Sequence, residues 1–469
     1  MKSRQERRLN RRKVSRRPLA VESLEGRAML ATYTVTNTSG DAATPGSLPW
    51  AVQQANYATP NQLDYINFNI AGAGLKTITI RDTLYINDQI VINGMSQPGY
   101  VDEPLVYVQG NGTVYSIFLL HNDPTDATTS HNLSTIQGLG MYNYLANAVT
   151  IFNTSQYNFI QYNWMGFRKE GATVLRNTDL GAAYNQSRGV GIQSSWNTIR
   201  HNTISGVDNG ITVGDPFESS STAPYVTNSF SSNKIGTDPT GMTAAGYGNT
   251  SDGIFLGKNA REMWIGPENT LSGNASAGVE LLHSTNWHNI IFRNFIGTNA
   301  AGTAAIGNGE VGVLIANGAH ENAVGGPWGG NLISGNTLSG VALGTEAWGV
   351  GDHNWVQYNV IGLNGSQTAA LPGQKVGVAV AAGCTLNTVE WNTIAGNSVN
   401  GIVAAAVTRN SFSRNYVGRS QSGTAFANGS YGIVLLANAN YNWVLENAFG
   451  SNGLGSYWVS PEAVGNIGI

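Results

Sequence analysis

Short apolar bursts, broken by Asn and Gly, recur along this chain. One element reads Asn-x-apolar-x-x-Asn-x-apolar: NFIQYNWM from Asn158, NTIRHNTI from Asn197, NSFSSNKI from Asn228 and NIIFRNFI from Asn289. It continues as NWVQYNVI from Asn354, NTVEWNTI from Asn387, NSFSRNYV from Asn410 and NWVLENAF from Asn442. Between copies stands Gly followed by Ile or Val, at Gly210, Gly253, Gly278, Gly312, Gly340, Gly377, Gly401 and Gly432. The steps between these glycines are 43, 25, 34, 28, 37, 24 and 31 residues, so long and short alternate throughout. Each unit then holds three short strands, one at the Gly and one after each Asn. Three strands and their turns make one coil of a solenoid, which predicts an all-β, right-handed parallel β-helix of about twelve three-strand coils. Period-2 alternation turns the apolar third residue inward and its neighbours outward.

The turn residues fit that picture. Asn suits a corner because it tolerates the left-handed conformation and its amide can bond the same amide one coil away. The expected ladder is Asn163, Asn202, Asn233, Asn294, Asn359, Asn392, Asn415 and Asn447. Gly at the third corner is expected to supply positive φ. Short units close with SG-type turns; long units insert 237–252, 298–310, 363–375 and 419–431 after an "IG" or "VG", with 167–189 in the same register upstream. These loops should project from one edge, polar and mobile, where function is usually grafted. Upstream, KTITI, LYI, IVING and LVYV (76–108) read as the first coils. GSLPWAVQQAN (46–56) reads as a capping helix, with Ser47 at its start and Leu48, Val52 and Ala55 on one face. Roughly twelve coils at 4.8 Å give a rod on the order of 55–60 Å long. The C-terminal GSYWVSPEAVGNIGI looks like another repeat start, blunted by Pro461 or cut short.

Composition sharpens this reading. Gly (59) and Asn (52) together supply 111 of 469 residues, while only 11% are charged. With 41% hydrophobic residues the chain is neither disordered nor collagen-like, and no apolar run is long enough for a membrane helix. The net charge of −3 hides an asymmetry: residues 1–31 carry ten Lys/Arg against three Asp/Glu, leaving the body at about −10. An acidic body is repelled by nucleic acid phosphates, so no nucleic-acid partner is expected. The lone Cys384 sits in VAVAAGCTLN and reads as a small buried hydrophobe.

The basic run MKSRQERRLNRRKVSRR reads as an export n-region or a nucleic-acid arm. With Leu24, Glu25, Arg27, Met29, Leu30 and Ala31 it resembles the "LEPR" box of exported surface proteins of Planctomycetes and related bacteria, with Gly26 where proline is usual. The segment YTVTNTSGDAATPGSLPWAVQQAN (33–56), with INFNIAG, TITI and INGMSQPGY after it, resembles the N-terminal module of bacterial right-handed β-helix surface proteins. That resemblance implies a pectate-lyase-like fold at the cell surface or outside the cell. The organisation expected is 1–31 export segment, 32–63 N-terminal cap and 64–469 β-helix.

Catalytic motifs of the fold are incomplete. Polygalacturonase-like enzymes use Asn-Thr-Asp, Asp-Asp, Gly-His-Gly and Arg-Ile-Lys, and only Asn177-Thr178-Asp179 is present. Asp352-His353 matches part of a pectate-lyase-like motif, with different neighbours. Carboxylates look too thinly spread for an acid/base pair, and Asp208 and Asp252, which both precede a Gly-Ile corner, read as turn formers. No metal or cofactor is expected. One lane invites a ligand: the residue before the second Asn should face outward, and it includes Tyr162, Arg293, Tyr358, Trp391 and Arg414. Trp355 and Trp443, just after the first Asn, join it as carbohydrate-binding candidates. The function expected is therefore an exported, non-catalytic protein that contacts polysaccharide or neighbouring surfaces. The alternatives are a polysaccharide lyase or hydrolase with an unfamiliar site, and a purely structural envelope component.

Overall fold

The computed structural model describes residues 30–58, 62–121, 133–152, 154–180, 186–214 and 224–469. The expected export motif, up to residue 29, lies outside them. The chain winds as a right-handed parallel β-helix, bounded by three parallel sheets of 14, 13 and 13 strands. The right hand is the one in which twisted parallel strands return onto their own sheet. Each turn visits the first sheet (for example Thr198–Arg200), the second (Thr203–Ile204) and the third (Asn209–Val213). The described residues make thirteen full coils, close to the expected dozen, and the first of them runs through Asp64–Phe68, Lys76–Thr79 and Leu84–Ile86.

Inward residues stack in register through the rod. In the first sheet Ile160, Ile199, Phe230, Ile265, Ile291, Val324, Val356, Val389 and Phe412 form one file, each fully buried. Burying each such side chain contributes roughly 1.5–3 kcal/mol. The helix Leu48–Asn56 covers the first coil with Leu48, Ala51, Val52 and Ala55, and Ser47 Oγ accepts from Trp50 N at 3.1 Å. At its end Asn56 stands in for a strand: its Nδ2 donates to Tyr85 O at 2.7 Å and its Oδ1 accepts from Asn87 N at 3.0 Å. Those bonds occupy polar groups on the free edge of Leu84–Ile86.

The corners differ from expectation in three ways. First, the left-handed residue is not the Asn but the one before it, as at Tyr162, His201, Tyr358 and Trp391 (φ 54–59°). A non-glycine residue costs about 1–2 kcal/mol in that conformation. The buried Asn that follows offsets it. Asn294 Nδ2 donates to Ile265 O (2.8 Å) and Asn331 Oδ1 (3.0 Å), and its Oδ1 accepts from Asn269 N and Nδ2. The eight expected ladder asparagines fall in one uninterrupted file of ten, completed by Asn269 and Asn331. A second file runs through the first Asn of each element, interrupted where Met263 stands between Asn228 and Asn289.

Second, the third corner has its own amide file: Asn249, Asn274, Asn308, Asn336, Gln374, Asn397, Asn428 and Asn452. Long loops and short turns contribute to it alternately, so the insertions stay tied to the rod at that point. Each insertion also closes on itself, as where Asn299 Oδ1 accepts from Thr303 N and Asn364 Oδ1 from Thr368 N, both at 2.8 Å. Third, the Gly-Ile/Val glycines do not adopt positive φ. They are needed for space: a Cβ on Gly312 would lie 2.5 Å from Gly340 O and 2.6 Å from Ile333 Cγ2. Positive φ belongs instead to the glycine after the second strand, such as Gly297 and Gly335.

Candidate functional site

The third corner and the outer face of the third sheet bring carboxylates together. Asp252, just before the crowded Gly253, lies one coil beyond Asn209, to whose Oδ1 its N donates at 3.0 Å, and Asp208 precedes Asn209 at the same corner. On the strand Val279–Leu282 the side chains of Val279 and Leu281 point into the core, so Glu280 points out. Glu280 is in register with Phe255 on one side and Leu314 on the other, and only 7% of it is exposed. Its carboxyl faces that of Asp252. Asp252 Oδ1 also accepts from Ala277 N at 2.9 Å, and its Oδ2 from Ser251 Oγ at 3.3 Å. Thr250 Oγ1 donates to Asp208 Oδ1 at 3.0 Å.

Burial dominates the electrostatics here. It pushes the Glu280 carboxyl up to about 9, with the negative charges of Asp252 and Glu310 adding to the effect. Burial also raises Asp252, against the hydrogen bonds it receives. Asp208 is raised by burial first and by Asp252 second. Both carboxyls are thus raised together, as expected for two buried carboxyls that do not ionise side by side.

The pair opens onto a groove of about 410 Å³ also lined by Arg188, Lys258, His283 and Trp348. Arg188 Nε is buried and has no hydrogen-bond partner among the described residues. Burial, then Lys258, holds the His283 imidazole below its usual range. Among the described residues no three His, Cys, Asp or Glu side chains converge as metal ligands. A buried carboxyl with a raised pKa beside further carboxyls, with cations and an exposed indole on the same wall, can donate a proton to a bound oxygen and receive one from water.

The two motif fragments are structural. Asp179 pairs with Arg176 at 2.7 Å, and Asn177 bonds the Tyr144 backbone. Asp352 Oδ1 accepts from Thr385 N at 2.7 Å, and His353 occupies a left-handed corner. Cys384 is buried, and its Sγ donates to Leu343 O at 3.3 Å.

The aromatic lane runs along a different corner. Tyr162 stacks on His201 (4.8 Å, 1°), and Tyr358 on Trp391 (6.3 Å, 2°). The Arg414 guanidinium lies 5.5 Å over Trp391, and its Nε meets Glu446 at 2.8 Å. Trp391 thus sits between Tyr358 and Arg414 in successive coils, and the stack turns ring edges outward. Arg293 occupies the same left-handed corner position as Tyr162. Trp355 and Trp443 stand on the outer face of the first sheet, 38% and 37% exposed. A second left-handed lane precedes the first Asn and includes Tyr157 stacked on Trp196 (5.8 Å, 13°). The rule "residue before Asn", applied to both asparagines, finds it.

The carboxylate pair was hidden in the sequence because Asp252 and Glu280 are 28 positions apart and belong to different repeat features. Only coil length brings them side by side. Two carboxylates too sparse to pair along the chain are paired in space.

No protein-family profile and no curated protein sequence matches the chain. Solved structures do. The chain is similar to the Dettilon tailspike protein (gp208), with 16% identity, 87% of this chain and 68% of that one covered, and a TM-score of 0.55. It is similar to tailspike protein 3 of bacteriophage CBA120, with 12% identity, 93% and 62% covered, and a TM-score of 0.50. The A-module of the Azotobacter vinelandii mannuronan C-5 epimerase AlgE6 aligns at 13% identity over 93% and 98%, with a TM-score of 0.48. The likeness is one of fold.

Proposed function

We propose that this protein is an exported β-helix that binds polysaccharide in the Asp252–Glu280 groove and hydrolyses it by acid–base chemistry. The observation that carries the reading is the buried carboxyl pair of Asp252 and Glu280 at the floor of an open groove. In this reading protonated Glu280 gives its proton to the glycosidic oxygen as the bond to the anomeric carbon breaks. Asp208 takes a proton from the water whose oxygen attacks that carbon, so the sum is addition of one water. Arg188 and Lys258 suit a chain that carries acidic substituents. The basic N-terminal segment and the surface-protein resemblance of residues 33–56 support an exported location. No helix among the described residues is long and apolar enough to cross a membrane.

The test is reducing-end release from a panel of acidic and neutral polysaccharides. Wild-type protein is expected to release ends, and Glu280→Gln to lose about 10²–10⁴-fold in rate with its fold intact. Silence of the wild type across the panel, or equal rates for both proteins, overturns the reading.

A second reading, non-catalytic polysaccharide contact, is favoured by the outward rings. Under it Tyr162, Arg293, Trp355, Tyr358, Trp391, Arg414 and Trp443 remain the carbohydrate-contact residues, and their substitution weakens binding without affecting any turnover.

A further inference from the structure

The outer face of the first sheet carries a notch that neither the stacked lane nor the carboxylate groove explains. Its outward positions run in register as Trp264, Ile290, Ala323 and Trp355. Coils lie about 4.8 Å apart, so a small residue between two large ones leaves a gap about one coil high and open to solvent. Ala323 is that small residue. The turn after it, residues 325–331, folds back over the gap with Trp328. Trp328 packs edge-to-face on Trp264 (5.9 Å, 79°), which fixes the indole although 46% of it is exposed. Trp355 forms the opposite wall. The space between these walls is about 340 Å³, at the small end for ligand sites.

The polar groups at the rim set the ligand class. His288 Nε2 and Glu321 Oε2 lie 3.2 Å apart and face each other. Each therefore meets the other before it meets a ligand; the rest of the lining is indole and aliphatic except for the buried Asn289 and for Gln357, whose Nε2 donates to Glu390 Oε1 at 2.7 Å. Such a notch accepts a flat, apolar-faced ring that carries no charge. Exposed indoles with a fixed geometry present large amphipathic contact area at small entropic cost.

We infer that this notch is a carbohydrate subsite that stacks one neutral pyranose on Trp355, with Trp328 as the second wall. The inference rests on the reading that the rod contacts polysaccharide, but on no chemistry at Glu280. It assigns the two faces different tasks: acidic chain segments at the groove, a neutral ring at the notch.

The experiment uses full-length Glu280→Gln protein, so that no probe is consumed. Cellohexaose, xylohexaose and mannohexaose are titrated by calorimetry and indole fluorescence, with hexagalacturonate as the charged comparator. At least one neutral hexasaccharide is expected to bind and to quench indole emission, with hexagalacturonate weaker at this site. Ala323→Leu, which fills the notch and leaves both indoles in place, is expected to lower that affinity about tenfold or more. Trp355→Ala should do the same, and both variants should melt within a few degrees of the parent. Absence of binding by all three neutral probes, or unchanged affinity in Ala323→Leu, overturns the proposal. Reducing-end release by Ala323→Leu in the Glu280 background is measured in parallel. Loss of binding with hydrolysis retained supports a subsite separate from the groove, whereas absence of hydrolysis in the protein without either substitution counts against the groove and not the notch.

Discussion

Glu280→Gln should flatten the pH dependence of stability. An unfolded Glu titrates near 4.5, and in the fold burial pushes Glu280 up to about 9. Below the lower value both states carry the proton, and the contribution of this group is fully present. Above it the unfolded chain releases the proton while the folded one keeps it, so stability falls as pH rises, until the folded carboxyl ionises. The slope is about 1.4 kcal/mol per pH unit for one proton. Between pH 6 and 8 this one group therefore removes about 3 kcal/mol. Only 7% of Glu280 is exposed, so solvent screening does little to reduce that figure. Asp208 and Asp252 are shifted the same way, so the wild-type slope includes them as well. The amide introduced by Glu280→Gln keeps a donor toward Asp252 but holds no titrating proton. Urea unfolding followed by circular dichroism at pH 6, 7 and 8 measures the difference. The wild type is expected to lose about 3 kcal/mol more than Glu280→Gln across that interval. Parallel slopes for the two proteins would show that Glu280 is ionised in the fold, and its raised pKa would be abandoned.

Three further outcomes follow from the packing. Asn294→Ala removes two donations and two acceptances in the middle of the ladder, leaving buried groups unpaired. It should cost about 3–5 kcal/mol, against about 1–2 for Asn447→Ala at the ladder's last rung; thermal melts compare them. Gly312→Ala places a methyl 2.5 Å from Gly340 O and should cost about 3 kcal/mol, whereas Gly365→Ala, whose nearest neighbour is 3.6 Å away, should be close to neutral by the same melts. Burial pushes the Cys384 thiol up to about 11, so iodoacetamide at pH 8 should leave native protein unlabelled and label it rapidly in guanidinium, as read by mass spectrometry.

The repeat was legible from the sequence because a coil is a local object. Its three strands, its Asn corners and its alternating insertions recur at fixed spacing, so Asn163 and Asn202 could be aligned without knowing that they touch. Ser47, Leu48, Val52 and Ala55 were likewise readable as a cap, since capping and helical periodicity are short-range. The physical causes at the corners were not local in the same way. The left-handed strain falls on Tyr162 and Trp391 and not on the asparagines after them. The Gly-Ile/Val glycines answer to the carbonyl of the next coil, a neighbour some 24–43 residues away.

Sequence alone therefore determined the architecture of this protein, its axis of repetition and the residues that line its corners. Tertiary structure decided which outward residues meet. Side chains one coil apart are neighbours in space but separated by a coil whose length changes with every insertion. No fixed spacing in the chain reports that Glu280 faces Asp252, that Trp391 lies between Tyr358 and Arg414, or that Ala323 leaves a gap beside Trp355. Those contacts depend on register across coils, and register is set only when the asparagine ladders and the apolar file lock each coil onto the next.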